Sequence, residues 1–366
     1  MRRGPRTLAC ALLATVAGAA CTDFEDPTTV IDLRALAVQV EPSEIVLSVD
    51  LTDPRNPVVD PASNLPLAVT PLVADPMGGG RELTYTILGC PNDPFAAAPP
   101  GAGQGGGAFP SGGARTTVGS ALCDEASPNT WTLMPEMTVP AGGAPPTFIV
   151  QPTADQLRAA FMADIFPDQF GNLHGGFDLG MPFVLDIKIA ANDDEEIRVI
   201  KRALYWALPI NDDQRPNQTP VMASMKSYPA RDEATLLPFP DTEVPVDAGT
   251  PFEVRAGTKV WFEPARAVAE ENYQTTVIDP DTHLAKPYTV EQETLRYRFF
   301  ATAGTFAPAQ TSSELLPGFV EITEPHIESE YSAPTDFTGP VTLWVVVRDE
   351  RGGESWLERQ LVITPP

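Results

Sequence analysis

The stretch VTLWVVVRDERGGESWLERQLVI (341–363) decides the fold class of this chain of 366 residues. Two apolar runs flank the polar turn 349–353, and apolar positions alternate within each run, which is the pattern of a β-hairpin. An earlier stretch, FVLDIKIAANDDEEIRVIKRALYWAL (183–208), has the same form. In both hairpins the second run carries an arginine, Arg202 and Arg359 respectively. We infer that each hairpin closes one β-rich unit and that the two units are related.

The runs that precede each hairpin repeat the same order in outline. LPLAVTPLVADP (65–76) and ELTYTILGCP (82–91) lead to the first hairpin, whereas TKVWFEPARAV (258–268) and TLRYRFFATAGTF (294–306) lead to the second. LRALAVQVEPSEIVLSVDL (33–51) predicts two strands or one bent strand at the start of the first unit. The 40 prolines of the chain favour strands joined by rigid turns over helices.

A polar, proline-bearing stretch separates the two units. INDDQRPNQTP (210–220) has no large apolar residue except Ile210, so we predict a linker at 211–220. The first domain is then expected at 30–210 and the second at 221–366.

The final hairpin also resembles the last strands of immunoglobulin-like, PKD-like and fibronectin-like modules on bacterial surfaces. In those modules a run ending V-x-D-x-x-G leads into the last strand, as it does in GPVTLWVVVRDERGGESWLERQLVI. The resemblance implies an all-β chain of two Ig-like β-sandwich domains in tandem. The antibody pattern of Cys, Trp and Cys is absent, because no tryptophan lies between Cys90 and Cys123.

The first domain is expected to carry two additions. Residues 92–146 are rich in Gly, Pro and Ala, and we predict a flexible insertion there. Thr153 and Gln156 fit a capping box, which predicts one short helix. Leu157 and Phe161 fall on one face of that helix.

The opening residues MRRGPRTLACALLATVAGAAC (1–21) have the layout of an export signal. Three arginines precede an apolar run of 13 residues (8–20), which is too short to span a bilayer as a helix. The last residues resemble the bacterial lipobox, in which a peptidase cuts before a cysteine that carries lipid. The family usually has Leu three residues before that cysteine, where this chain has Gly18.

The lipobox resemblance implies a lipoprotein with a signal at 1–20, lipid on Cys21 and a tether at 21–29. Thr22 follows the cysteine, which by resemblance to enterobacterial sorting favours the outer membrane of the cell envelope. The whole combination is similar to the lipoproteins of unknown function found in myxobacteria. The membrane is therefore one expected partner of the chain, through Cys21.

Export also predicts the state of the remaining cysteines. Cys10 leaves with the signal and Cys21 takes lipid, so Cys90 and Cys123 form an even pair in an oxidising compartment. We predict a structural disulfide between them.

The charge of the chain excludes one class of partner. The full chain has 24 basic and 49 acidic residues, and removal of residues 1–20 takes away three arginines. The remaining 21 basic and 49 acidic residues give a net charge of −28. Such a chain is repelled by phosphate backbones, so nucleic acid is not expected as a partner. We expect an envelope protein or polysaccharide instead, bound through loops or exposed edges.

Catalytic motifs are sparse. His174, His283 and His326 are the three histidines, and none has another histidine at metalloprotease spacing. No G-x-S-x-G elbow occurs. We therefore expect binding or structural roles without catalysis, and no cofactor. An envelope hydrolase with a loop-assembled site remains the alternative.

A second alternative is an adhesion-type module stiffened by calcium. Asn211, Asp212 and Asp213 place three oxygen-bearing side chains in the linker, and calcium takes six to eight oxygen ligands. Their spacing matches no EF-hand, and turns use Asn and Asp for conformational reasons as well. Equal melting temperatures in calcium and in EDTA would exclude this site.

Overall fold

The computed structural model describes most of the chain. The described residues are 26–53, 56–92, 122–140, 144–164, 166–167, 173–174, 180–191, 195–207, 216–232, 238–239, 241–267, 273–278, 285–290, 293–314 and 325–366.

The first half of the chain forms a β-sandwich of two sheets. The smaller sheet contains, in spatial order, β1 (Arg34–Glu41), β5 (Leu67–Ala74) and β8 (Phe148–Val150), all antiparallel. The larger sheet contains, in spatial order, β2 (Glu44–Leu47), β12 (Glu195–Ala207), β11 (Met181–Ala191), β6 (Leu83–Pro91) and β7 (Trp131–Val139). The sandwich also carries a short ladder of β3 (Val49–Asp50) with β4 (Val58–Val59), and a 3-10 turn at Pro61–Ser63.

The stretch 33–51 forms two main strands that lie in different sheets. β1 ends at Glu41 and β2 begins at Glu44, where it pairs parallel to β12. Pro42 stands at the crossing, and proline has no N–H to donate to a ladder. This crossing closes one side of the sandwich.

The capping box predicted the helix correctly. Helix α1 (Ala154–Asp164) begins after Thr153, whose N–H donates to Gln156 Oε1 at 2.7 Å while Gln156 N–H donates to Thr153 Oγ1 at 3.2 Å. Leu157 and Phe161 are buried in the core of the first sandwich, as their spacing predicted.

The predicted flexible insertion at 92–146 needs correction. Strand β7 lies inside that range and pairs with β6 from Leu83 to Gly89. Its pairing shifts register around Ile87, where Pro135 and Glu136 form a bulge. The composition of this range did not predict the strand, because its proline argues against a strand in general. Proline is nevertheless tolerated in an edge strand such as β7, where one side of the strand forms no ladder hydrogen bonds. Residues 93–121 lie outside the described part of the chain.

The second half forms another β-sandwich, with five strands in each sheet. One sheet contains, in spatial order, β14 (Val244–Pro245), β13 (Met225–Tyr228), β16 (Lys259–Pro264), β22 (Ser329–Ser332) and β20 (Thr305–Ala307). The other contains, in spatial order, β15 (Phe252–Arg255), β24 (Glu354–Thr364), β23 (Gly339–Arg348), β19 (Arg296–Ala301) and β21 (Gln310–Ser312). A further ladder of the second half pairs β17 (Tyr273–Ile278) with β18 (Ala285–Val290), and one of the first half pairs β9 (Phe166–Pro167) with β10 (Leu173–His174).

One five-stranded sheet of each sandwich corresponds strand by strand, β2-β12-β11-β6-β7 in the first and β15-β24-β23-β19-β21 in the second. In each, a short strand lies parallel to the last strand of the chain segment, and the last strand pairs with its hairpin partner. An earlier strand, β6 or β19, pairs on the far side of that partner. The chain therefore has the predicted all-β architecture of two Ig-like sandwiches in tandem.

Each sandwich has its own core between its two sheets. The largest fully buried side chains of the first are Phe161, Phe183 and Tyr205, whereas those of the second are Phe262, Phe299, Tyr297 and Tyr331. Burial of each such ring stabilises the fold by about 1.5–3 kcal/mol.

Candidate functional site at the domain junction

The two sandwiches meet through an apolar patch that belongs to neither core. From the first sandwich come Leu36, Ala37, Leu72 and Ala74, and from the second come Trp344 and Val346, with Phe300 and Trp356 packed beside them. Val30, which precedes the first strand, also belongs to this patch. Trp344 is only 7% exposed. These residues lie on outer faces of the sheets, so each sandwich covers an apolar surface of the other.

Glu354 at the start of β24 binds the first sandwich through hydrogen bonds. Its Oε2 accepts from Lys201 Nζ at 2.8 Å and from the backbone N–H of Val38 at 3.1 Å. Its Oε1 accepts from Arg348 Nη2 at 2.6 Å. Burial alone would raise the pKa of Glu354, but Lys201 and Arg348 together hold it below its ordinary value. Glu354 is therefore an ionised carboxylate at neutral pH.

A second contact runs in the opposite direction, from a cation of the second sandwich to a carboxylate of the first. Arg351 Nη1 donates to Glu44 Oε2 at 3.1 Å, and its Nε donates to Glu293 Oε1 at 3.3 Å. The guanidinium also lies 4.5 Å from the centre of the Tyr273 ring. Glu44 accepts from Trp206 Nε1 at 2.5 Å as well. Arg351 and Glu44 are both less than 9% exposed, so water screens this pair weakly.

The end of the predicted linker is part of the junction. Asn217 is 4% exposed, and its N–H donates to Glu44 Oε2 at 2.6 Å. Its side-chain amide donates to Ser43 Oγ at 3.1 Å and to Asp349 Oδ2 at 2.8 Å. Burial raises the pKa of both Glu44 and Asp349, although Arg351 and Asn217 oppose the shift. The segment 216–220 therefore connects the two sandwiches by hydrogen bonds to both, in addition to the covalent chain.

A cleft of about 350 Å³ opens beside this junction. Its walls are mostly apolar and come from both sandwiches: Pro71, Leu72, Val73, Pro76, Leu83, Tyr85, Val139, Pro140, Pro145 and Pro146 on one side, and Thr302, Thr342 and Trp344 on the other. Two carboxylates, Asp75 and Glu358, and one cation, Arg81, supply its charge. Ligand sites are commonly concave, mostly apolar and located between domains.

The charged groups of the cleft are held in place by neighbours. Arg81 donates to both oxygens of Asp75, at 2.7 and 3.1 Å, and to Glu195 at 2.6 Å. Glu358 accepts from Trp344 Nε1 at 3.0 Å and is exposed. The cleft is thus a concave, mostly apolar surface with hydrogen-bonded charged groups at its rim.

The predicted disulfide is present on the outer face of the larger sheet of the first sandwich. Cys90 of β6 bonds to Cys123, with 33 residues of sequence separation. Asp186 beneath it is fully buried, and it accepts from the Cys123 N–H at 2.9 Å and from Arg198. The bond and this ion pair hold the segment after Leu122 against the sheet.

Other predicted site residues lie outside the described part of the chain. These are Cys21, Asn211, Asp212, Asp213 and His283. His174 lies on β10. Within the described ranges, no group of three or more His, Cys, Asp or Glu side chains is arranged to hold a metal ion.

His326 lies away from the cleft lining. Its Nδ1 is 3.0 Å from Glu328 Oε1, which Arg231 also contacts. Arg231 covers the ring of Trp261, with 3.8 Å between the guanidinium carbon and the ring centre. No histidine of the described ranges lines the cleft.

Sequence reasoning missed the polar residues of the junction. Lys201 stands inside an apolar strand pattern, and a charge in such a position is the signal that was available. Glu354 gave no such signal, because it directly follows the polar turn 349–353. Asn217 gave no such signal, because it lies in a polar stretch.

In the described ranges, no helix combines the length and the apolar character needed to cross a bilayer.

Comparison with known proteins leaves the chain without an assigned family. No protein-family model and no curated protein matches it. Dimeric latent PorU from Porphyromonas gingivalis is 9% identical with a TM-score of 0.17, over 91% of this chain and 24% of that one. The alpha-2-macroglobulin of E. coli is 11% identical with a TM-score of 0.18, over 93% of this chain and 16% of that one. The chain thus spans a quarter or less of either protein, and similarity this weak assigns no function.

Proposed function

We propose that this chain is a lipid-anchored protein of the cell envelope, expected at the outer membrane. It uses two rigidly joined β-sandwiches to bind an envelope protein or polysaccharide, and it performs no catalysis. The observation that carries the binding role is the cleft formed jointly by both sandwiches, whose walls are apolar and whose charges are fixed. The observation that carries the anchor is the export signal at 1–20, directly before Cys21.

The buried junction supports the binding role, because it fixes the cleft before any ligand arrives. Two buried ion pairs connect the sandwiches, Lys201 with Glu354 and Glu44 with Arg351. The first sandwich supplies the cation of one pair and the carboxylate of the other, and a hinge motion would break both. A pre-organised cleft loses less entropy when a ligand binds.

The anchor is tested on protein from the membranes of a bacterium with an outer membrane. The N-terminal tryptic peptide should begin at Cys21 and end at Arg34, with a mass raised by diacylglycerol and one acyl chain. The Cys21→Ser variant should leave the membrane fraction. An unmodified peptide from the native chain would refute the anchor.

The binding role is tested by photo-crosslinking from the rim of the cleft. A crosslinking amino acid at Pro76, which is exposed, should capture a defined envelope protein or peptidoglycan fragment. The same amino acid at Val58, which is 59% exposed and not part of the cleft lining, should not. Pro140→Arg, which fills the rim with a long cation, should reduce capture at position 76. Equal capture at both positions would refute a binding site in the cleft.

A further inference from the structure

The predicted tether at 21–29 needs correction, because its last residues belong to the second sandwich. Thr28 is 1% exposed, and its carbonyl accepts from Ala301 N–H at 2.9 Å. The N–H of Val30 donates to Ala301 O at 2.8 Å, and Thr29 forms a parallel bridge with the same residue. The segment around Thr29 thus pairs for a short distance beside the end of strand β19, and the chain then enters the first sandwich.

Side chains strengthen this attachment. Thr28 Oγ1 accepts from the N–H of Phe306 at 3.0 Å and donates to Asp26 Oδ1 at 2.5 Å. Thr29 Oγ1 donates to the carbonyl of Gly304 at 2.7 Å. Residues 26–30 are therefore fixed next to the turn at 302–304, which joins β19 to β20.

This attachment limits how far the folded body can lie from Cys21. Four residues separate Cys21 from Asp26. A fully extended chain spans at most about 3.6 Å per residue, so the two Cα atoms are at most about 18 Å apart. A flexible tether of nine residues would have allowed about twice this separation and any orientation.

We infer that the lipid bilayer lies against one particular end of the second sandwich, the end that carries the turn 302–304. The inference rests on the proposed acylation of Cys21 and deepens it, because it specifies which surface of the protein faces the lipid headgroups. We call this surface the anchor end.

Strand pairing identifies what else lies at the anchor end. Ser332 of β22 pairs with Lys259 on one side and with Thr305 on the other, so the three residues lie at the same level of the sheet. The turn 256–258 before Lys259 therefore lies at the same end, and Gly257 N–H donates to Pro334 O at 3.2 Å. The connection from β22 to β23 begins there as well. It presents Phe337, whose ring is an apolar group at the surface with 36% exposure.

The other end of the first sandwich points away from the anchor. Ala74, where β5 ends, pairs with Arg34, whose guanidinium donates to Pro27 O at 2.9 Å. Leu65 precedes the opposite end of β5 and is 51% exposed. Seven residue steps at about 3.3 Å place the two ends of β5 about 23 Å apart. Leu65 is thus a matched distal position for a measurement at Phe337.

The test attaches the protein to lipid chemically, so that it does not depend on native acylation. The chain from residue 21 has one free thiol, Cys21, because Cys90 and Cys123 are bonded. It is coupled to phosphatidylcholine vesicles that contain maleimide-bearing phosphatidylethanolamine and headgroup nitroxide lipids. A fluorophore is placed through a non-natural amino acid at position 337 in one sample and at position 65 in the other.

Quenching by the nitroxide should be at least about threefold stronger at position 337 than at position 65. Insertion of 16 Gly and Ser residues between Glu25 and Asp26 should abolish the difference, because the reach then grows by up to about 58 Å. Equal quenching at both positions, or a difference that survives the insertion, would overturn the proposed orientation. The peptide mass at Cys21 tests the acylation separately, so the two failures can be told apart.

Discussion

Lys201 Nζ of the first sandwich lies 2.8 Å from Glu354 Oε2 of the second, and both side chains are buried. The residues are 153 positions apart in sequence. Removal of either charge would leave the other group buried at the junction without this partner, which is costly. The pair therefore makes the two sandwiches depend on each other for stability.

Replacement of Lys201 tests this dependence. Lys201→Met leaves Glu354 buried with Arg348 as its remaining cation, so we expect the free energy of unfolding to fall by about 3 kcal/mol. Urea denaturation at pH 7, followed by circular dichroism, measures the change. Lys259→Met is the matched control, because Lys259 is exposed where it pairs with Glu330, and this pair should contribute less than about 1 kcal/mol. A loss no larger than that of the control would contradict a stabilising role of the pair.

The pH dependence of Glu354→Gln follows from the lowered pKa of Glu354. A carboxyl group with a lower pKa in the folded state stabilises the fold when ionised, above its pKa in the unfolded chain. This contribution is lost as the pH falls through the folded-state pKa. The deficit of Glu354→Gln relative to the native chain should be largest at pH 7 and shrink below about pH 4.3. Urea titrations from pH 7 to pH 3 measure it.

Glu243→Gln is the control for the pH series, because Glu243 is exposed at the surface. Its effect should stay small at every pH. A deficit of Glu354→Gln that is constant with pH would show that loss of packing, and not loss of charge, causes the destabilisation.

The buried linker residue Asn217 should be required for a stable junction. Asn217→Ala removes the donors to Ser43 and Asp349, and buried groups left without a partner cost about 1–3 kcal/mol. The exposed Asn129→Ala in the first sandwich should change stability by less than about 0.5 kcal/mol. Thermal unfolding of the two variants provides the comparison. Equal melting temperatures would mean that 216–220 merely follows the surface.

The disulfide should stabilise the first sandwich. A closed loop of 33 residues is worth about 3–4 kcal/mol in the chain-entropy model. Replacement of both Cys90 and Cys123 with Ala should lower the free energy of unfolding by that amount, as measured in urea. Cys21→Ser keeps the disulfide and should unfold like the native chain. An unchanged midpoint in the double variant would show that the ion pair of Asp186 and Arg198 alone holds the segment.

The sequence by itself determined the all-β class, the two-unit repeat, the helix after Thr153 and the Cys90–Cys123 disulfide. These features depend on local patterns: alternation along a strand, a cap three residues from its partner and an even number of cysteines. Strand β7 was not predicted, because its composition resembles that of the surrounding segments. Only its pairing with β6 makes it a strand.

Only the tertiary structure decided what joins the two units. Lys201 bonds to Glu354, and Glu44 bonds to Arg351. Asn217 bonds to both Glu44 and Asp349. The partners are 132 to 307 residues apart in sequence. The same holds for Thr28, whose partner Phe306 is 278 residues away. No periodicity links such residues, because each pair forms where two separately folded surfaces meet.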